Sequence, residues 1–337
     1  MPNARRATAN LTMAGHDITR YLIDISYTDN YDKTDDIAIT LSDREGRFLD
    51  EWFPEIGDII TAEIEVFDWN SQMDDRTIDL GSFEVDNPRF SDTFSVGGVA
   101  VPITSSARSE KKNRAWTEIN LSGIASDIAG TAGISLVYDT EVDPFYDQAD
   151  QNDKSDLDFL EELCKSDGLC MKVTKGQLIV YEESKYEAKQ SVKTITKGDD
   201  NIIDFPRFIR DAKDIYKACK IQYYCPITDE TYTGYFEAPH APEVGHTLKL
   251  IENYNSKSDD KNLDRKAKAR LREENKYEWT CNITLKGDII YFTGTNLNLK
   301  GWGKFDGKYH INTATHSINN GGGYTVALSL HRCLDGY

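Results

Sequence analysis

No stretch of this chain approaches the roughly eighteen apolar residues that a membrane helix needs. Disulfide or zinc spacing is missing too. The six cysteines (Cys164, Cys170, Cys219, Cys225, Cys281 and Cys333) include no CxxC pair, and their spread suits free thiols of a reducing cytoplasm. Cations are scarce, with 39 Lys and Arg against 57 Asp and Glu for a net charge of −18. A surface that acidic repels phosphate, which argues against a nucleic-acid binder driven by counterion release. After Arg5-Arg6 no apolar core follows, so no secretory signal is expected. Gly-x-Ser-x-Gly and His-Glu-x-x-His are also absent, which removes two common hydrolase signatures.

What is present is alternation. Near the end of the chain, Ile289, Tyr291 and Thr293 alternate with Ile290 and Phe292. Tyr309 to Ile318 and Tyr324 to His331 keep the same period of two. Strand side chains point alternately to opposite faces, so each run predicts a strand with one packed side. Asn319-Asn320-Gly321-Gly322-Gly323 joins the last two runs and reaches positive φ cheaply, which predicts a hairpin.

The fold class expected is mainly β with an α+β insert: two β-barrel modules, a small α+β domain and one long charged helix. Residues 1–105 form the first module. Its short strands carry Leu11 and Met13, Tyr21 to Ile25, Ile37 to Leu41, Ile60 to Val66, Phe83 to Val85, and finally Val99, Val101 and Ile103. Six or so short strands separated by turns favour a barrel or sandwich. Residues 106–200 form the insert. There Leu121, Ile124, Ala125, Ile128 and Ala132 follow helical spacing, with Thr117 as the expected N-cap and Gly133 as the stop. Ser155-Asp-Leu-Asp158 reads as a capping box for a second helix that ends at Gly168. Met171–Val173 and Leu178–Tyr181 flank a turn at Lys175-Gly176. Residues 201–337 form the second module, interrupted by a helix at about 259–277. Asp259 and Asp260 suit the positive end of that helix's dipole. Its stripe of Leu263, Ala267 and Leu271 is narrow, which predicts shallow packing or a seam completed by another chain.

No constellation predicts chemistry, and no catalytic, cofactor-binding or metal residues are assigned. His310 and His316 share a strand face but stand roughly 20 Å apart along it, too far for one ion. His240 and His246 lie in a Pro-bearing loop. Cys164-x5-Cys170 and Cys219-x5-Cys225 read as small buried residues. The acidic stretch Asp143 to Asp158 lacks the order of an EF-hand loop and reads as a solvated loop. Gly301-x-Gly303 with Gly307 precedes a strand, whereas a phosphate cradle needs a helix N-terminus.

The chain nevertheless resembles the late control D family, the tail hub proteins of contractile phages and phage-tail-like bacteriocins. Three places carry the resemblance: Phe53-Pro54-Glu55-Ile56-Gly57-Asp58; Trp116 with Gln148, Gln151 and Ser155 to Leu163 followed by Gly168; and Gly303, Asp306-Gly307, Tyr309, Thr315-His316-Ser317 and Gly322 to Thr325. Their joint order makes the likeness specific, since each alone is turn and core chemistry. The resemblance implies a non-enzymatic homotrimer that joins a six-fold tail tube to a three-fold central spike in a baseplate. Its further partners would be wedge or tape-measure proteins. The chain would be made in the bacterial cytoplasm and built into a phage or phage-tail-like particle. A peptidoglycan hydrolase of the same apparatus is the alternative, and a monomeric carbohydrate-binding β protein a weaker third.

Overall fold

The computed structural model describes residues 5–100, 106–211, 215–225, 229–239, 246–252, 263–319 and 323–337. The protein is mainly β. From one edge to the other, its largest sheet runs Ile202–Arg210, Trp279–Lys286, Gly323–Arg332, Gly307–Asn319, Leu22–Asn30, Asp36–Leu41, Phe94–Val99, Arg76–Val85, Ile59–Phe67, Arg6–Met13 and His16–Asp17. Opening and closing segments therefore meet inside one sheet. The joint is the antiparallel pairing of Gly307–Asn319 with Leu22–Asn30, in register from Thr313↔Asn30 to Asn319↔Asp24.

One hydrophobic core follows from that joint. Leu11, Ile25, Ile39, Ile64, Phe83 and Phe94 from the opening strands pack in the same cluster as Ile283, Tyr291, Tyr309, Val326 and Leu330. Each fully buried large side chain contributes about 1.5–3 kcal/mol, so the two ends of the chain stabilise each other.

A second core belongs to the insert. Helix Leu121–Ala132 buries Leu121, Ile124, Ala125 and Ile128 at the expected spacing and stops at Gly133, whose φ of 71° lies in the left-handed region. Helix Asp156–Ser166 starts at Ser155, whose side chain accepts from Asp158 N at 3.2 Å. The strands Cys170–Thr174 and Gln177–Tyr181 pair antiparallel around Lys175-Gly176, and Ser135–Asp139 adds to them in parallel.

A third, smaller core lies between helix Leu263–Asn275 and the three-stranded sheet of Tyr216–Cys225, Glu230–Glu237 and His246–Glu252. Gly234 permits the contact, because a Cβ there would lie 2.3 Å from the backbone of Leu263.

Several expectations change. Thr117 is no cap: it lies in strand Lys112–Asn120, paired with Phe145–Lys154, and Asn120 holds the cap position. The free Ser122 N–H is met instead by Asp143 at 2.9 Å. The run Ile289 to Thr293 is two consecutive turns, closed by Tyr291 N to Asp288 O and Thr295 N to Phe292 O. Its apolar residues Ile289 to Phe292 all pack against the core and extend no ladder. The narrow-striped helix is not a seam left to another chain, since its Leu263, Ala267 and Leu271 are buried on the small sheet. The acidic stretch is no loop either: it forms strand Phe145–Lys154 and the start of a helix, with Asp156 buried. Val101, Ile103, His240, Asp259, Asp260 and Asn320 to Gly322 fall outside the described residues. The hairpin itself is secured by Asn319↔Gly323. Among the described residues no helix is long and apolar enough to cross a membrane.

Candidate functional site: the buried charged junction

The short helix Glu183–Ala188 places Glu183 and Glu187 one turn apart on one face, both buried. The long helix brings Arg272 and, just past its end, Lys276 to the same spot. The closing strands supply His310 and His331, neither exposed at all. Arg272 Nη2 lies 3.3 Å from Glu183 Oε2 and also pairs with Glu187. His331 Nε2 is 2.7 Å from Glu187 Oε1, and Leu334 N donates to Glu187 Oε2 at 2.9 Å. Asn296 completes the knot: its Oδ1 faces His310 Nδ1 at 2.7 Å, and its Nδ2 donates to the carbonyls of Tyr186 and Lys189.

Burial would push the Glu183 carboxyl up, but His331, Lys276 and Arg272 outweigh it and hold the group down at about 2. Glu187 is lowered against the same burial by its bond to His331 and by Arg272. Burial would likewise lower Lys276, yet Glu183 and Glu273 raise it. Burial dominates at His310, which is lowered to about 3. Glu183, Glu187 and His331 offer ligand atoms within 4.8 Å of one another, the spacing of a metal site. The donor set does not fit a resident ion, however, because Arg272 and Lys276 already balance both carboxylates. The arrangement is an ion-pair knot.

Two more junctions follow the same rule. Lys172 of the insert reaches into the opening strands, pairing with Asp29 and lying 3.1 Å from Asp35 Oδ1. Tyr27 donates to Asp35 at 2.9 Å, and Thr293 of the closing segment donates its N–H to Asp29 Oδ2 at 2.6 Å. Burial raises the Asp35 carboxyl, while Lys172 opposes the shift. Above this trio opens a cleft of about 290 Å³ walled by Tyr181, Tyr186 and Phe292. Asp167, at the end of an insert helix, takes Arg265 Nη2 of the long helix at 2.8 Å. Buried pairs of this kind add little net stability, but losing one partner is costly, so they fix geometry.

The residues weighed from sequence do not converge. His316 is buried with partners of its own, Nδ1 accepting from the Tyr324 hydroxyl at 2.6 Å and Nε2 donating to the Tyr291 carbonyl at 2.8 Å. His246 opens a strand of the small sheet. Cys164, Cys170, Cys281 and Cys333 are free thiols, and Cys164 and Cys219 are buried. Gly301, Gly303 and Gly307 are turn residues before a strand. The junction residues escape a reading of the sequence, because charged residues one turn apart on a helix look like a solvated face. The signal that was available is the i, i+4 pairing of Glu183 with Glu187 and of Arg272 with Lys276.

Solved structures share the fold along nearly the whole chain. A tail protein from Neisseria meningitidis MC58 matches with a TM-score of 0.69 at 14% identity, over 98% of this chain and 97% of that one. The 43 kDa tail protein of prophage MuSo2 from Shewanella oneidensis gives 0.70 at 15% identity, over 96% and 98%. An E. coli type VI secretion component, described as structurally similar to the T4 tail proteins gp27 and gp5, gives 0.57 at 11%, over 97% and 78%. At these identities the likeness is one of fold: the chain has the fold of phage tail proteins. No curated protein matches its sequence. The model of one family, described as the Alg8 N-terminal domain, matches residues 103–320. That match spans well over half of the chain, which therefore belongs to the Alg8 N-terminal domain family.

Proposed function

We propose that this chain is a structural hub of a contractile tail or injection apparatus, of the late control D kind. In this reading it is a homotrimer whose residues 1–105 and 201–337 form two related modules, so that six modules ring a three-fold axis. Such a ring meets a six-fold tail tube on one side and a three-fold central spike on the other, with wedge or tape-measure proteins around it. It is made in the bacterial cytoplasm and assembled into the baseplate of a phage or a phage-tail-like bacteriocin. It works by rigid coupling rather than by catalysis.

The observation that carries this reading is the shared fold with tail proteins over 96–98% of the chain. The charged junctions support it. They tie insert, opening strands and closing strands together, and a part that passes on force must not flex between its layers. No observation favours the peptidoglycan-hydrolase alternative: the carboxylate pair Glu183 and Glu187 is buried and matched by Arg272.

The test is co-purification of the tagged chain with the tail tube and spike proteins encoded beside it. Retention of both is expected. Binding to neither, together with a peptidoglycan-clearing band on a zymogram, would overturn the reading.

A further inference from the structure

Strand Cys170–Thr174 of the insert turns a lysine away from solvent and into the joint with the opening strands. The Lys172 side chain is 11% exposed there, between Asp29 at 3% and Asp35 at 1%. Its Nζ pairs with Asp29 Oδ1, stands 3.1 Å from Asp35 Oδ1 and donates to Thr293 Oγ1 at 3.0 Å. Tyr27, Tyr181 and Phe292 wall the cleft above the trio. Two carboxylates thus share one ammonium in a mostly aromatic setting, where each unbalanced charge is costly.

The two aspartates are held differently. Thr293 N–H donates to Asp29 Oδ2 at 2.6 Å and the Thr293 hydroxyl to Asp29 Oδ1 at 2.9 Å. A backbone N–H fixed on one carboxylate oxygen is the donor that a tetrahedral intermediate at that carbon needs. Burial raises the Asp35 carboxyl; Lys172 opposes the shift and the Asp29 charge adds to it. A carboxyl raised toward neutrality both takes up and returns a proton readily.

We propose that Lys172 and Asp29 condense to an intramolecular amide, a covalent staple between the insert and the opening strands, with Asp35 as the proton carrier. Asp35 takes a proton from the Lys172 ammonium, and the freed Nζ lone pair attacks Asp29 Cγ. Negative charge collects on Oδ2 against the Thr293 N–H. The Nζ–Cγ bond stays, the Cγ–Oδ1 bond breaks, and Oδ1 leaves as water with two protons from Nζ, carried across in turn by Asp35. Ammonium and carboxylate become amide and water, so nothing is oxidised or reduced and no co-reactant is needed. Two effects favour the product. Groups fixed side by side react as if at about 10⁵ M or more, and the amide removes two charges from a buried site. The staple goes beyond the hub reading and does not depend on it.

Mass spectrometry of the full chain, folded by circular dichroism and then denatured and reduced, tests this directly. Wild type is expected lighter by one water than its 38.2 kDa sequence requires. Trypsin should release Tyr21–Lys33 joined to Ser166–Lys175, the cut after Lys172 being blocked. Lys172→Arg keeps the cation but loses the nucleophile, and should stay at full mass. Asp35→Asn should form the link about a hundredfold more slowly or worse. A folded wild type at full mass overturns the staple. So does Lys172 joined to Thr34–Arg44, which carries Asp35 in place of Asp29, or a loss of water that persists in Lys172→Arg. An undiminished rate in Asp35→Asn overturns the part given to Asp35.

Discussion

His316 is sealed between the Tyr291 carbonyl, the Tyr324 hydroxyl and the ring of Phe292, with Asp29 and Asp288 nearby. Burial dominates those neighbours and lowers the imidazole to about 4, as it lowers His310 to about 3, from an ordinary 6.5. Below about pH 6.5 the unfolded chain takes up protons on both rings while the folded one refuses them. Stability is therefore complete above that pH and is lost as pH falls toward about 4, at roughly 1.4 kcal/mol for each tenfold difference in proton affinity between the two states. Glu183, held at about 2 against an ordinary 4.5, adds a loss of the same sign once pH drops below about 4.5. A melting series should show Tm level near neutrality and falling steeply between about pH 6 and 4. His316→Gln should flatten the upper part of that fall, and a Tm that rises on acidification would contradict the assignment. Arg272→Met takes from Glu183 and Glu187 the guanidinium that pairs with both. Urea unfolding should show a loss of about 3–5 kcal/mol, partly recovered by adding Glu187→Gln. None of these partners was legible as such in the sequence. Arg272 and Glu183 are 89 positions apart, and only the fold brings them together.

Elements read from local chemistry more faithfully than contacts did. The capping residue Ser155, the left-handed Gly133 and the turn at Lys175-Gly176 each signalled an end that the structure keeps, since caps and turns are decided by neighbouring residues. Ile289 to Thr293 failed as a strand because alternation marks burial without specifying a ladder, and the flanking Asp288 and Gly294 close turns instead. Two glycines separate propensity from packing. Gly130 lies in helix Leu121–Ala132 with nothing within 4 Å of an added Cβ, so Gly130→Ala should raise stability by up to about 1 kcal/mol, read by urea unfolding. Gly234 lies under the backbone of Leu263. Gly234→Val should push the long helix off its sheet and unprotect the amides of Lys266 to Leu271 in hydrogen exchange.

At the level of the whole molecule, the opening and closing segments fold as partners. Ile25 pairs with Ile318 in the ladder, and both belong to the common core. Residues 1–105 produced alone should lack near-UV circular dichroism and expose apolar surface, because strand Leu22–Asn30 loses its neighbour and the core loses Tyr291, Tyr309 and Leu330. The mainly β character was visible in the sequence because period two repeats along it. The single sheet was not, since which strands neighbour each other depends on pairings such as Thr315↔Thr28 across most of the chain. Whether the chain is a collar between tube and spike is decided by electron-microscope imaging of it assembled with its neighbouring tube and spike proteins. Three copies in one ring are expected, with tube density on one side and the spike on the other. A single copy bound at the periphery, or a ring that meets neither partner, would contradict the collar.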